Sequence, residues 1–187
     1  HYLVKVAPGT YTEKITLKDF VDIEGSGRRA TVIRWSSGWP TVTTGANAEL
    51  RQVAVVNTSS GAFPTLGAVA VYQTAESPSG NTRLLDLNIA ALGTGDNAGV
   101  IVQGGGLGIV GSDVTAGVSS PVGSGGALGV STENASTVRL RNSRVYAYTS
   151  NAGFHAAAER NDTSSLLIND TLLSGPIVGT PTCISVF

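Results

Sequence analysis

The chain has 187 residues, among them 24 glycines, and carries a formal net charge of −1. Only 13% of the residues are charged, so there is no electrostatic reason to expect nucleic acid or an anionic membrane as a partner. No apolar run approaches the roughly 20 residues of a membrane-spanning helix, and the composition favours strands and tight turns over helices.

The first 47 residues alternate short apolar runs with turn signals. They contain Pro8-Gly9-Thr10-Tyr11-Thr12-Glu13, then Gly25-Ser26-Gly27, then Thr31-Val32-Ile33. This order resembles the first coils of pectinesterase-like β-helix proteins, in which a Pro-Gly-x-Tyr-x-Glu turn precedes a Gly-x-Gly turn and a Thr-Val-Ile strand. The resemblance implies the pectin-lyase-like right-handed parallel β-helix, as in bacterial secreted or surface β-helix repeat proteins.

A two-part unit repeats along the rest of the chain. The first part opens with an aliphatic residue and has another five positions on; it starts at Leu50, Leu84, Ile109, Leu140 and Leu167. The second part is a short apolar segment that falls between these; it starts at Val42, Ala70, Val100, Leu128, Phe154 and Ile184. Two interleaved series with one period indicate a single structural unit stacked along an axis.

The alternation of apolar and polar residues predicts what the unit looks like. Aliphatic residues two positions apart share one face of a strand, so a coil of two or three short strands places all of them in one interior. We therefore predict an all-β, right-handed parallel β-helix of about six coils in a single domain. Residues 1–47 form its first coils and residues 48–187 five repeated coils. Both ends lie within apolar alternation, which indicates a fragment without complete caps.

The third position of the first part predicts a bend in each coil. Polar residues or glycine occupy it, and such residues tolerate the left-handed backbone; they are Gln52, Asp86, Gly111, Asn142 and Asn169. Asn142 and Asn169 are then expected to stack as an amide ladder. Glu49 and Arg83 would lie on adjacent coils and form an ion pair.

The resemblance does not extend to catalytic motifs. The Gln-Asp-Thr-Leu, Asp-Phe-Ile-Phe-Gly and Gly-Arg-Pro-Trp sequences of pectinesterases are missing, as are the aspartate motifs of polygalacturonases and the carboxylate cluster of pectate lyases. We predict no catalytic residue, cofactor or metal. A polysaccharide lyase or glycoside hydrolase remains the alternative, with Asp113 beside Arg144, or Glu133 beside Glu159, lining a groove. His155 is expected on the outer face of its strand.

Aromatic side chains point to a binding function. The expected ligand-binding residues combine rings that can stack on sugars with one cation; they are Tyr146, Tyr148, Arg144, Trp35 and Trp39. The leading hypothesis is a non-catalytic scaffold module of an extracellular or cell-surface protein that binds a polysaccharide.

A second alternative is assembly. Outward-facing Val69, Val71 and Ile101, next to Gly99, Gly129 and Gly153, would form a flat apolar face. Such a face would suit a homo-oligomer resembling the trimeric tailspikes or other fibrous surface proteins.

Overall fold

The computed structural model describes residues 1–60, 67–74, 81–117, 126–148, 155–175, 177–179 and 184–186. All regular structure in these ranges is β-strand. In this part of the chain we find no helix with the length and apolar character needed to cross a membrane.

The strands follow one another in groups of three, and each group is one coil. Coils one to three contain β1 (Tyr2–Lys5), β2 (Gly9–Thr12), β3 (Ile15–Thr16), β4 (Val21–Glu24), β5 (Thr31–Trp35), β6 (Val42–Thr43), β7 (Glu49–Arg51), β8 (Ala54–Asn57) and β9 (Ala68–Gln73). Coils four and five contain β10 (Asn81–Leu85), β11 (Asn88–Ala91), β12 (Asn97–Gln103), β13 (Gly106–Val110), β14 (Asp113–Ala116) and β15 (Ala127–Glu133). Coils six and seven contain β16 (Thr137–Arg141), β17 (Arg144–Ala147), β18 (His155–Arg160), β19 (Ser165–Asn169), β20 (Leu172–Ser174) and β21 (Ile177–Gly179), after which β22 (Ile184–Val186) follows.

Each coil contributes one strand to each of three parallel sheets. The first sheet runs β1-β4-β7-β10-β13-β16-β19-β22, the second β2-β5-β8-β11-β14-β17-β20, and the third β3-β6-β9-β12-β15-β18-β21. The molecule is a right-handed parallel β-helix, which confirms the predicted fold class. Its first two coils lie within residues 1–47, and five more follow from Glu49 to Gly179.

The aliphatic column of the first sheet forms the centre of the core. Leu50, Leu84, Ile109 and Leu140 are paired in register as predicted, and each is buried. The fifth member is Ile168, which pairs with Leu140, so the prediction of Leu167 was wrong by one residue. Leu166, Leu167 and Ile168 are all aliphatic, and this run hides the register in the sequence.

The bends adopt the left-handed backbone at the predicted positions in four coils. The φ angles are 57° at Gln52, 51° at Asp86, 62° at Gly111 and 48° at Asn142. In coil seven the bend is Asp170, with φ 46°, because of the one-residue shift.

The predicted amide ladder is therefore wrong. Asn169 pairs with Arg141 and does not stack on Asn142. Buried serines connect the coils beside the bend instead: Ser143 Oγ accepts from the Ser112 amide at 3.2 Å, and Ser112 Oγ accepts from the Leu87 amide at 3.1 Å. The serine hydroxyls thus satisfy amides that are buried from water.

The second repeat series has a different register from the one predicted. The inward column of the third sheet is Val42, Val71, Val100, Val130 and Ala158. Ala70 was a wrong start by one residue because Ala70 and Val71 both face the core, so strict alternation fails there. Leu128 was wrong by two residues, since it lies in a second cluster with Val69 and Ile101. Ile184 belongs to the first sheet, where it pairs with Leu166, and Phe154 lies outside the described residues.

The predicted apolar assembly face is not exposed. Val71 lies in the main core, and Val69 and Ile101 are 0% and 4% exposed in a second cluster with Leu128. The glycines do not flatten an outer surface either. A Cβ added to Gly99 would lie 2.5 Å from Val114 Cγ1, inside the coil. Gly153 lies outside the described residues. The prediction was thus wrong that Val71 faces outward and that Val69 and Ile101 are exposed; an oligomer through this side of the third sheet stays an untested prediction.

Candidate functional site

The outer surface of coil six carries a band of arginines and tyrosines. We define the coil-six band as Arg139, Arg141, Arg144, Tyr146 and Tyr148. All of them are exposed except Tyr146, which is half-buried. The band crosses from the first sheet to the second.

Strand alternation puts these side chains on one surface. In β16, Val138 and Leu140 are fully buried, so Arg139 and Arg141 between them face outward. The left-handed bend at Asn142 then turns the chain, and β17 resumes with Arg144 outward and Val145 inward.

The three arginines of the band have no acidic partner. Within the described ranges, no carboxylate lies close enough to any of their guanidinium groups to form an ion pair. Their neighbours on the adjacent coils are mostly neutral. Arg139 lies between Gly108 and Leu167, and Arg141 lies between Val110 and Asn169. Three like charges are therefore held on one coil without compensation.

The two tyrosines form a parallel pair at the end of the band. The ring centroids of Tyr146 and Tyr148 are 5.9 Å apart and the ring planes differ by 4°. Tyr148 is 40% exposed. A parallel pair leaves one face of each ring that does not meet the other ring, and such faces can stack on the apolar face of a sugar.

Arg144 has one acidic neighbour, which is bound elsewhere. Asp113 is the register partner of Arg144 on the preceding coil, as predicted. Its carboxylate instead accepts a hydrogen bond from Arg28 Nη1 at 3.1 Å. The predicted Asp113–Arg144 pair shares a row and forms no ion pair.

The structure does not bring the two tryptophans to the tyrosines. Trp35 ends β5 in coil two, four coils from Tyr146, which is about 19 Å at the usual strand spacing. Lys14 Nζ lies 5.5 Å from the centroid of the Trp35 ring and donates to the Trp39 carbonyl at 3.3 Å. Trp39 packs edge-to-face on Tyr72, with centroids 5.0 Å apart. Trp35 and Trp39 are thus linked through Lys14, and both lie apart from the coil-six band.

The predicted pair Glu133 and Glu159 converges on the outer face of the third sheet. Ser131 Oγ lies 3.4 Å from Glu133 Oε1 and 3.1 Å from Glu159 Oε2. The Gln103 amide donates from Nε2 to Glu133 Oε2 at 2.8 Å, and its Oε1 accepts from the Tyr72 hydroxyl. Burial and then the charge of Glu133 raise the pKa of Tyr72. The side chain of His155 lies outside the described residues.

A groove of about 550 Å³ lies on the first sheet beside the band. Arg83, Gly108 and Arg139 follow one another along its row. Buried Glu49 accepts from Arg83 at 2.8 Å, which confirms the predicted pair, and also from Arg51 at 2.6 Å. Arg83 is therefore paired in this groove, whereas Arg139, which lines the same groove and belongs to the band, forms no ion pair with any residue that the structure describes. No group of three potential metal ligands occurs in the residues that the structure describes.

Sequence reasoning found only part of this surface. It named Arg144, Tyr146 and Tyr148 but missed Arg139 and Arg141. The alternation Val138-Arg139-Leu140-Arg141 already contained the signal. Nothing in the sequence indicates that Arg28 reaches Asp113, because the two are 85 residues apart.

Solved structures with a similar backbone identify the fold. A pectin methylesterase from Erwinia chrysanthemi matches 95% of this chain over 71% of its own length, with a TM-score of 0.57 and 14% sequence identity. The carrot pectin methylesterase matches 90% of this chain over 63% of its own length, with a TM-score of 0.53 and 14% identity. This chain has the pectin-lyase-like fold.

Other comparisons add no closer relative to this pectin-lyase-like β-helix. No family model matches the chain, and no curated protein matches it. A pectin methylesterase solved in complex with a hexasaccharide aligns with a TM-score of 0.52 and 14% identity, over 95% of this chain and 71% of that one. At such identities the likeness concerns the fold.

Proposed function

We propose that this pectin-lyase-like β-helix is a non-catalytic module that binds an acidic polysaccharide through the coil-six band, in a protein that is secreted or held at the cell surface. One observation carries the proposal. Three exposed arginines, which have no acidic partner in the described part of the chain, lie on the same coil as two parallel tyrosine rings.

The chemistry of the band suits a polymer with carboxylate groups. A guanidinium group donates two parallel hydrogen bonds to a carboxylate, and Arg139 and Arg141 are about 7 Å apart along the strand. Tyr146 and Tyr148 follow on the same coil after the bend at Asn142, so a sugar chain that follows the coil around this bend would meet ring faces. The hexasaccharide complex of a protein with this fold supports the idea that such a solenoid surface can hold a sugar chain.

Affinity gel electrophoresis tests this proposal. Polygalacturonate in the gel should retard the chain, and neutral dextran should not. The triple variant Arg139→Gln/Arg141→Gln/Arg144→Gln should lose at least about tenfold in affinity, because each charge-assisted hydrogen bond is worth roughly 1.5 kcal/mol or more.

Arg34→Gln is the matched control. Arg34 is exposed, lacks an ion pair in the described structure and lies in the row that leads to Tyr146, four coils away. It should bind like the unaltered chain. Free migration of the unaltered chain in polygalacturonate would refute the proposal. Equal retardation by duplex DNA would also contradict it, since the tyrosines are expected to select sugar.

A second function is favoured by the meeting of Glu133 and Glu159 at Ser131 Oγ. Glycoside hydrolases use two carboxyl groups about 5 to 9.5 Å apart, and two carboxylates on either side of one hydroxyl are compatible with that range. Release of reducing ends from a polyuronate, abolished in Glu133→Gln and in Glu159→Gln, would establish this activity. Absence of release from a panel of polysaccharides would leave the binding module as the function.

A further inference from the structure

Asp113 and Arg144 are adjacent yet unpaired, and a third residue explains this. They are register partners on neighbouring parallel strands, whose backbones are about 4.8 Å apart, and both side chains leave the same face of the second sheet. Opposite charges this close on neighbouring strands attract each other. Here the Asp113 carboxylate is held by Arg28, whose Nε also lies 3.6 Å from Asp86.

Arg28 reaches coil five from coil two because of a tight turn. The Gly27 carbonyl accepts from the Ala30 and Thr31 amides at 2.9 and 3.0 Å, and the Gly27 amide donates to the Gln52 carbonyl at 3.0 Å. This arrangement fixes the turn against coil three.

The row of the second sheet that leads to Asp113 has a short side chain in coil three. Ala54 occupies the coil-three position of the row that continues through Asn88 to Asp113, and it is only 4% exposed. A methyl group at this position leaves the row without a long side chain in coil three. Arg28, Arg29, Asn88 and Asp113 enclose a small cavity of about 120 Å³ there.

We propose that Arg28 is a positioning residue that keeps Asp113 from pairing with Arg144, and so leaves the Arg144 guanidinium free for an anionic ligand. Arg28 does not belong to the coil-six band and need not touch the ligand. The inference deepens the proposed function and rests on it for the identity of the ligand. The exchange of partners itself does not depend on any ligand.

The exchange of partners can be measured without a polysaccharide. Removal of Arg28 should allow Asp113 to pair with Arg144. In Arg28→Ala, the Nε–H resonance of Arg144 should shift and become protected from exchange with water, and Asp113→Asn added to this variant should reverse both changes. An Arg144 resonance that is identical in all three proteins would overturn the proposal.

Binding to polygalacturonate provides the second measurement. Arg28→Ala should weaken binding by about threefold to fivefold, the effect of one partly exposed ion pair. The double variant Arg28→Ala/Asp113→Asn should regain the affinity of the unaltered chain. Both variants lack the Arg28–Asp113 ion pair, so a merely structural role would leave both of them weak, and that result would refute the positioning role.

Arg29→Ala is the matched control, because Arg29 lines the same cavity and forms no ion pair in the described structure. It should leave both the Arg144 resonance and binding unchanged, and thermal melting would verify that each variant folds. If the unaltered chain fails to bind polygalacturonate while Arg144 still changes partner in Arg28→Ala, the proposed function is wrong. The control of Arg144 by Arg28 is then still established.

Discussion

The arginines of coils three and four differ from those of coil six in what they contact. Arg51 binds both Glu24 and Glu49, and Arg83 binds Glu49 from the next coil, so these charges connect coils two, three and four. In coil six, Arg139 and Arg141 occupy equivalent outward positions of the same sheet and have no acidic partner among the residues that the structure describes. Paired charges join neighbouring coils, whereas unpaired charges remain available to a ligand. The same strand geometry thus supports two uses.

The largest expected effect is a loss of stability when the ion pairs of coils two to four are broken. Glu49→Ala removes a buried carboxylate that accepts from two guanidinium groups, and should lower the free energy of unfolding by about 2 kcal/mol. Urea denaturation followed by circular dichroism measures this. Arg139→Gln and Arg141→Gln should each change stability by no more than about 0.5 kcal/mol.

The comparison would fail if the two sets behaved alike. A loss of stability in Arg139→Gln as large as that in Glu49→Ala would mean that the band also holds the coils together. The proposal that the band serves a ligand would then lose its physical basis.

Lowering the pH should weaken the ion pairs that join coils two to four. The hydrogen bond from Arg51 holds the pKa of Glu24 below its ordinary value, with further help from the charges of Arg51 and Lys5. The ionised carboxylate is thus favoured in the folded chain. Its contribution to stability is fully present above the ordinary carboxyl pKa and is lost as the pH falls through the lower pKa of the folded state.

Unfolding measured in urea between neutral and acidic pH tests this. Glu24→Gln should make stability less dependent on pH in the acidic range, and Arg141→Gln should leave that dependence as it is. An acidic limb that is equally steep in Glu24→Gln would show that Glu24 is not coupled to folding.

The sequence predicted those features that depend on local chemistry. Four left-handed bends and the Glu49–Arg83 pair follow from residue type and repeat spacing alone. Register was lost where apolar residues are consecutive, as at Leu166-Leu167-Ile168, because alternation then gives no unique face. It was also lost at Ala70 and Val71, where a strand turns two neighbours inward.

The site was harder to predict than the fold. Alternation can place Arg139, Arg141 and Arg144 on the surface, but the absence of partners is a property of neighbouring coils. Arg28 shows this most clearly, since it extends from a turn in coil two to Asp113 in coil five. Such contacts depend on how the coils stack, so they cannot be predicted from the sequence of one repeat at a time.

The smallest predicted effect concerns the hydroxyl of Tyr72 on the third sheet. This hydroxyl donates to Gln103, which in turn donates to the carboxylate of Glu133. Burial, and secondly the charge of Glu133, raise the pKa of Tyr72 above that of free tyrosine. The neutral phenol is favoured in the folded chain, so its contribution to stability is complete below the pKa of the unfolded state and is lost as the pH rises through the folded pKa.

In an alkaline titration followed by ultraviolet absorbance, Tyr72→Phe should remove a phase that lies above the ordinary tyrosine range. Glu133→Gln should move that phase only partly back, because burial, the larger cause, is unchanged. If Glu133→Gln returned the phase completely to the ordinary tyrosine range, the charge of Glu133 and not burial would be the main cause of the raised pKa. Charge would then govern the outer face of the third sheet, as it does the surface of coils two to four.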